Sequence, residues 1–162
     1  MRFWMLTGVS LIGLALGGNA WAIDAEQKIE AAGSVDKAWA LLGDFCGIAN
    51  WHPAIAKCEM KDMDGAKIRT LTTQDGALIV EKLTNWDDAA HSYSYEILES
   101  PLPVANYAST IKVGAGSAAD TVAIDWSSTF DAKGASDDDA KKTILGIYDA
   151  GLGSLKEKLG AQ

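Results

Sequence analysis

Basic residues, histidine and cysteine are all scarce in this sequence. Its 162 residues include 14 lysines and arginines, two histidines and two cysteines, against 22 aspartates and glutamates. The formal net charge of −8 predicts no nucleic-acid partner and no adsorption to an anionic membrane, because both surfaces bind through cationic side chains. The chain shows no internal repeat, low-complexity linker or second domain. The composition therefore indicates one acidic globular domain.

The first 22 residues predict a secretory signal peptide. Arg2 is followed by an apolar run over 3–16, and Ala20-Trp21-Ala22 fits a small-residue cleavage site. We predict cleavage after Ala22, which leaves a single periplasmic domain, residues 23–162, with no membrane span. Loss of Arg2 leaves 13 basic and 22 acidic residues, a net charge of −9. A retained membrane anchor is the alternative, although the run is short for one.

The two cysteines are candidates for a disulfide, because export leads to an oxidising compartment. A bond between Cys46 and Cys58 would close a loop of about a dozen residues and contribute roughly 3 kcal/mol to stability. Two separate buried cysteines are the alternative. Together with His52, which lies between them, they could also offer soft ligands to copper or zinc. The spacing matches no compact metal motif and a fourth ligand is missing, so we predict no metal and no cofactor.

The stretch from Ser136 to Leu159 predicts one long amphipathic helix at the end of the chain. Ser136 is its expected N-cap, Asp139 completes a capping box, and Gly160 is expected to end the helix. Apolar residues recur at steps of three and four positions, which gives one stripe made of Ile144, Ile147, Tyr148, Leu152, Leu155 and Leu159. A helix with such a stripe needs a sheet to cover it.

Strands and turns are predicted for most of the chain before that helix. A short strand over 27–31 precedes a helix that Ser34 caps, and residues 43–53 have room for one helical turn. Beyond residue 54, apolar and polar residues alternate between turn signals at 62–65, 74–76, 87–90, 99–103 and 114–120. This alternation indicates antiparallel strands with one wet and one covered face. We predict an α+β fold in which a curved antiparallel sheet grips the terminal helix and leaves a cavity between them.

A charged pair is predicted on the covered face of the sheet. If 74–76 form a three-residue turn, Arg69 lies opposite Glu81, whereas a two-residue turn would place it opposite Lys82. We favour the first register because it pairs opposite charges. Four tyrosines are also expected to point inward, where each hydroxyl needs a partner: Tyr93, Tyr95, Tyr107 and Tyr148. An apolar cavity with a few polar groups is typical of a small-molecule site, and a purely structural network is the alternative.

The order of these elements resembles the Bet v 1/START-like helix-grip superfamily, also called SRPBCC or polyketide cyclase/dehydrase-like proteins. The resemblance covers about residues 27–159. It rests on Val35-Asp36-Lys37-Ala38-Trp39, Gly43-Asp44-Phe45, Trp51-His52-Pro53, Asp75-Gly76, the segments 79–83 and 93–97, Pro101-Leu102-Pro103, Trp126 and the closing helix. It implies a hydrophobic cavity for a lipid-like or aromatic ligand. Within the superfamily, the signal peptide and Trp51-His52-Pro53 are similar to those of an exported group that includes accessory proteins of periplasmic methanol oxidation.

We therefore predict an exported binding protein that holds a small hydrophobic molecule and performs no chemistry of its own. Arg69 and Glu81 would orient a polar end of the ligand, while aromatic side chains supply contact area. The full set of predicted ligand-binding residues is Trp51, His52, Arg69, Glu81, Tyr95, Tyr107, Trp126 and Tyr148.

Two other functions remain open from the sequence. The first is a cyclase or dehydratase that uses His52 or Glu81 as its acid or base. For His52, the alternative role is packing beside Trp51. For Glu81, a neighbouring Arg69 would hold the carboxylate ionised, which suits a structural pair better than proton transfer. The second is an accessory factor for a periplasmic redox enzyme such as methanol dehydrogenase, which would bind that partner protein through the acidic surface.

Overall fold

The structure is a computed structural model and describes residues 22–161. The predicted signal peptide, apart from its last residue Ala22, lies outside the described residues. Seven strands and three helices follow one another in the order β1 (Ile23–Ala32), α1 (Val35–Leu42), α2 (Ile48–Trp51), β2 (Ile55–Met63), β3 (Ala66–Thr73), β4 (Leu78–Asp87), β5 (Ser92–Glu99), β6 (Val104–Ala115), β7 (Thr121–Ala132) and α3 (Asp137–Gly160). The predicted α+β class is confirmed.

All seven strands form one antiparallel sheet in the order β1-β7-β6-β5-β4-β3-β2. Strand β1 begins at Ile23, earlier than the predicted Gln27, because β7 is long enough to pair with it as far as Phe130. The predicted alternation is confirmed on β6, where Tyr107 and Ile111 are buried and the residues next to them are more exposed. One face of the sheet is therefore covered and the other meets solvent.

The ends of the helices follow the capping signals in the sequence. The Ser34 hydroxyl accepts the Lys37 N–H at 3.3 Å at the start of α1. At the start of α3, the Ser136 hydroxyl accepts the Asp139 N–H at 3.2 Å and donates to the Asp139 carboxylate at 2.8 Å. Helix α3 ends at Gly160 with Ala161 as its C-cap, one residue later than the predicted end at Leu159. No helix within residues 22–161 combines the length and the apolarity needed to span a bilayer.

The register between β3 and β4 is the one that pairs opposite charges. Arg69 lies opposite Glu81 and Leu71 opposite Ile79, as the three-residue turn predicts. Gly76 in that turn has a φ of +88°, a conformation that residues with a Cβ rarely adopt. The alternative register with Lys82 opposite Arg69 is therefore wrong, and the acid and the base both lie on the covered face.

Helix α3 lies mainly along β1 and, to a smaller extent, β7, at one edge of the sheet. Its apolar stripe is buried there, with Ile144, Tyr148 and Leu155 each at most 1% exposed. The sheet continues from β7 through β6 and β5 to the opposite edge at β2. A helix about 10 Å wide cannot cover that whole width. The space beside the helix, above the middle strands, is where the cavity lies.

Candidate ligand-binding cavity

A cavity of about 360 Å³ lies between α3 and the covered face of the sheet. Its volume falls in the range of roughly 300–1,000 Å³ that is usual for small-molecule sites. The exposed residues Ala54, Gln74 and Asp75 form its rim. Most of the inner wall is aliphatic or aromatic, so the cavity can exclude water from an apolar ligand. The predicted hollow between sheet and helix is present.

Six of the eight residues predicted from the sequence lie on this wall: His52, Glu81, Tyr95, Tyr107, Trp126 and Tyr148. Arg69 and Trp51 do not. Arg69 is completely buried beneath the wall, and Trp51 is 1% exposed and packs with its ring 5.7 Å from that of Trp126. Direct contact of these two residues with a ligand therefore has no support from the cavity geometry. For Arg69, alternation along the strand gives the face of the side chain and not its depth. Trp51 lies in α2, where no strand pattern applies.

Sequence reasoning missed much of the aliphatic wall. The missed side chains are Ile48, Ile55, Leu71, Ile79, Ile97, Leu102, Ile144 and Ile147. Leu71, Ile79 and Ile97 share the covered face with Arg69, Glu81 and Tyr95, so the same alternation could have identified them. Leu102 comes from the turn between β5 and β6, for which no periodic signal exists.

Arg69 and Glu81 form a buried ion pair at the cavity wall. The Arg69 Nε donates to Glu81 Oε2 at 2.6 Å, and Nη1 donates to the backbone oxygen of Phe45. The guanidinium carbon lies 3.9 Å from the centre of the Phe45 ring and 5.0 Å from that of Tyr95, which gives cation–π contact on both sides. Glu81 is 5% exposed and separates the guanidinium from the cavity.

The electrostatics of this pair differ in part from the sequence-based expectation. Burial raises the pKa of the Glu81 carboxyl, and the positive charge of Arg69 offsets only part of that rise. Arg69 thus favours the ionised form of Glu81, as the sequence predicts, but desolvation is the larger effect on the pKa of a carboxylate so fully buried. Burial is the largest single effect on Arg69 and by itself lowers its pKa, but the charge of Glu81, the nearby Tyr93 and Tyr95 and the hydrogen bond to Glu81 together raise that pKa.

Tyrosine hydroxyls form a hydrogen-bonded network in the wall. Tyr107 and Tyr148 lie 2.5 Å apart between their oxygens, and the Tyr148 oxygen is 3.4 Å from the Ser109 hydroxyl. The Trp126 indole N–H donates both to Tyr95 and to Ser109, each at 3.1 Å. Burial raises the pKa of Tyr95 and of Tyr107 well above the ordinary value, so both stay protonated at neutral pH. The expectation that these buried hydroxyls find partners is confirmed for the three that line the cavity.

Both ring nitrogens of His52 are occupied. Nε2 is 3.0 Å from the backbone oxygen of Ile147 in α3, and Nδ1 accepts the Ala54 N–H at 3.2 Å. This pattern requires the neutral tautomer with its proton on Nε2. Burial lowers the pKa of His52, an effect that the hydrogen bond to Ile147 partly opposes. His52 therefore links the segment after α2 to the terminal helix.

A disulfide between Cys46, just before α2, and Cys58 in β2 links the start of α2 to that strand, with 5.6 Å between the two Cα atoms. The bond uses both thiols, and no cluster of three or more potential metal ligands occurs within residues 22–161. The alternative in which Cys46, His52 and Cys58 bind a metal therefore has no support from the geometry. Instead, the disulfide and His52 fix from two sides the short helix that carries Ile48 to the cavity.

A curved antiparallel sheet, a terminal helix and an apolar cavity between them define a helix-grip protein with a ligand-binding fold. Residues 22–160 match the family described as polyketide cyclase/dehydrase and lipid transport. The chain belongs to this family, as the resemblance in the sequence predicts. No curated protein matches the sequence.

Several solved structures share the fold. The chain is 34% identical to the protein XoxI from Bacillus cereus, with a TM-score of 0.77 and coverage of 84% of this chain and 94% of that one. It is also 34% identical to an uncharacterised protein from Bacillus thuringiensis, with a TM-score of 0.78 and coverage of 85% and 98%. The Zhui aromatase/cyclase from Streptomyces sp. R1128 is 17% identical, with a TM-score of 0.67 and coverage of 86% and 94%, and shows the fold alone.

Proposed function

We propose that this protein is an exported, non-catalytic binding protein that holds a small hydrophobic molecule, lipid-like or aromatic, in the cavity between sheet and helix. The observation that carries the proposal is the cavity of about 360 Å³, whose inner wall is mostly aliphatic and aromatic. Burying apolar ligand surface contributes about 25 cal/mol per Å², so a wall of this kind favours apolar ligands. The few polar side chains in the wall would orient the ligand.

The two candidate catalytic residues support a binding role over an enzymatic one. A general base needs a free lone pair directed at the substrate. The Nδ1 lone pair of His52 accepts the Ala54 N–H, and its Nε2 proton is directed at a backbone oxygen of α3. Glu81 is neutralised by Arg69 at 2.6 Å. His52 therefore has no lone pair free to act as a base, and the charge of Arg69, which favours the ionised form of Glu81, weakens that carboxylate as a base.

Native mass spectrometry of the protein, purified from the periplasm of its own host, tests this proposal. We expect a population heavier than the protein by the mass of one retained small molecule, released on denaturation and identifiable by its mass. The denatured mass should also correspond to a chain cleaved after Ala22 and two hydrogens lighter than the reduced form. Protein that carries no ligand and binds no apolar probe in titration would contradict the proposed function.

The accessory-factor alternative remains a prediction, and the same extract tests it. Capture of a redox enzyme on the immobilised protein should weaken as salt is raised if acidic side chains steer the contact, because salt screens exposed charges. Retention of an apolar ligand should not depend on salt in this way. The two functions therefore give different salt dependences.

A further inference from the structure

Most polar groups in the cavity wall already have hydrogen-bond partners within the protein. Both ring nitrogens of His52 bind backbone groups. The Thr73 hydroxyl is hydrogen-bonded within its own turn, to Asp75 and to the backbone oxygen of Ala77. The Trp126 indole N–H is shared between Tyr95 and Ser109. None of these groups has an obvious hydrogen bond left to offer a ligand.

The hydroxyl groups of Tyr107 and Tyr148 also find their hydrogen-bond partners within the protein. Ser109 donates its proton to the backbone oxygen of Ser127 at 2.7 Å, so its oxygen is an acceptor for other groups. Tyr148 can then donate to Ser109, and Tyr107 can donate to Tyr148. This assignment uses every proton of the three hydroxyls.

Tyr95 and Glu81 retain unused hydrogen-bonding capacity. The Tyr95 oxygen accepts the Trp126 N–H, but its own proton has no acceptor within residues 22–161. Glu81 binds Arg69 through Oε2, while Oε1 has no donor in the same part of the chain. On the covered face, Tyr95 lies opposite Leu83 and Glu81 opposite Ile97, which makes Tyr95 and Glu81 diagonal neighbours on adjacent strands. Buried polar groups are rarely left without partners, so both groups are suited to a ligand atom.

The type of ligand follows from these two groups. A hydroxyl accepts one hydrogen bond and donates another, which complements a phenolic donor next to a carboxylate acceptor. A ligand carboxylate would instead meet the like charge of Glu81, because Arg69 lies fully buried behind that residue and does not line the cavity. We propose that the cavity selects an uncharged apolar molecule with a hydroxyl group, an alcohol or phenol, which accepts from Tyr95 and donates to Glu81. This inference rests on the proposed binding function.

The volume of the cavity suggests the size of a suitable probe. An apolar protein cavity of about 150 Å³ is large enough to bind benzene. The cavity of about 360 Å³ is more than twice as large and therefore suits a bicyclic aromatic molecule. We choose 2-naphthol and 2-methylnaphthalene, which differ by a hydroxyl in place of a methyl group, and 2-naphthoate, which carries a carboxylate.

Isothermal titration calorimetry of the mature protein with the three probes tests the inference. We expect 2-naphthol to bind about five- to tenfold more tightly than 2-methylnaphthalene, and 2-naphthoate to bind most weakly. The Tyr95→Phe variant should lose most of the preference for 2-naphthol and keep its affinity for 2-methylnaphthalene within about twofold. Trp126 keeps Ser109 as an acceptor in this variant, so the wall should remain intact. Tyr93→Phe, on the same strand but outside the cavity wall, removes a hydroxyl next to Arg69 and is the control for the loss of a buried tyrosine hydroxyl.

The outcomes separate this inference from the proposed function. Binding of 2-naphthol and 2-methylnaphthalene with equal affinity overturns hydroxyl recognition and leaves the binding function standing. A preference for 2-naphthol that survives Tyr95→Phe, or tighter binding of 2-naphthoate, also overturns it. Failure of every probe, together with native protein that carries no ligand, overturns the binding function itself.

Discussion

Gly151 of helix α3 lies so close to Trp126 of strand β7 that a Cβ atom on the glycine would be 2.9 Å from Cζ3 of the indole. The same Cβ would be 2.6 Å from Cδ2 of His52 and 3.0 Å from Cζ3 of Trp51. Carbon atoms in favourable contact are about 3.5–4.0 Å apart. The missing side chain at Gly151 therefore allows three aromatic rings to pack against the helix, and two of those rings line the cavity.

Replacing this glycine should destabilise the protein. We expect Gly151→Ala to lower the free energy of unfolding by about 1–3 kcal/mol, since buried rings held on three sides cannot move aside freely. Gly153→Ala is the matched control: apart from its chain neighbours and the backbone of the helix itself, no atom lies within 4 Å of its Cβ position, so alanine should stabilise the helix by up to about 1 kcal/mol. Urea denaturation measures both changes. Equal effects at the two positions would contradict the close packing at Gly151.

Breaking the buried ion pair should be far more costly than breaking an exposed one. We expect Glu81→Gln to lower the free energy of unfolding by about 3–5 kcal/mol, because it leaves the buried charge of Arg69 without its counter-charge. Glu96→Gln removes the partner of Lys82 in a pair of similar length, 2.9 Å, that is more than one-third exposed, and should cost at most about 1 kcal/mol.

A double substitution distinguishes the ion pair from general disruption at this site. Arg69→Met combined with Glu81→Leu replaces both charges with apolar groups and should recover most of the stability lost in Glu81→Gln. Denaturation curves of the single and double variants test this expectation. A double variant that is less stable than the single one would argue that the two side chains hold the fold through contacts other than their charges.

His52 should make stability depend on pH. Burial lowers the pKa of the folded side chain, so the unfolded chain binds more protons once the pH falls below about 6.5, the ordinary value for histidine. The contribution of His52 to stability should be complete above that value and be lost as the pH falls towards the folded pKa. We expect His52→Gln, whose amide can still donate to Ile147, to reduce the slope of the free energy of unfolding against pH, measured by urea denaturation between about pH 7.5 and 5.5. An unchanged slope would rule out His52 as its cause.

The disulfide should stabilise both the fold and the part of the cavity wall that Ile48 and His52 form. Cys46 and Cys58 are 12 positions apart, and a loop of that length contributes about 3 kcal/mol through the entropy of the unfolded chain. We expect Cys46→Ser with Cys58→Ser to lose about that much stability and to weaken 2-naphthol binding, because the segment carrying Ile48 and His52 is then less restrained. Dithiothreitol should destabilise the wild type similarly and leave the double variant unchanged. A double variant as stable as the wild type would show that the disulfide does not contribute to stability.

Interactions between residues close in the chain, or on neighbouring strands joined by one turn, could be predicted from the sequence. Ser34 and Ser136 identify the starts of two helices because capping involves only residues three positions apart. The pairing of Arg69 with Glu81 follows from the length of one turn and from the alternation of side chains along two neighbouring strands. These interactions are close in the chain, so the sequence determined them.

Only the tertiary structure decided how deep each inward residue lies and what it contacts. Arg69 is covered by Phe45 rather than facing the cavity, and His52 is bonded to Ile147, which is 95 positions away in the chain. Trp51 packs against the helix because Gly151 leaves room for it. Such contacts depend on where α3 crosses the sheet. That position results from the packing of the whole core, which no local pattern of residues encodes.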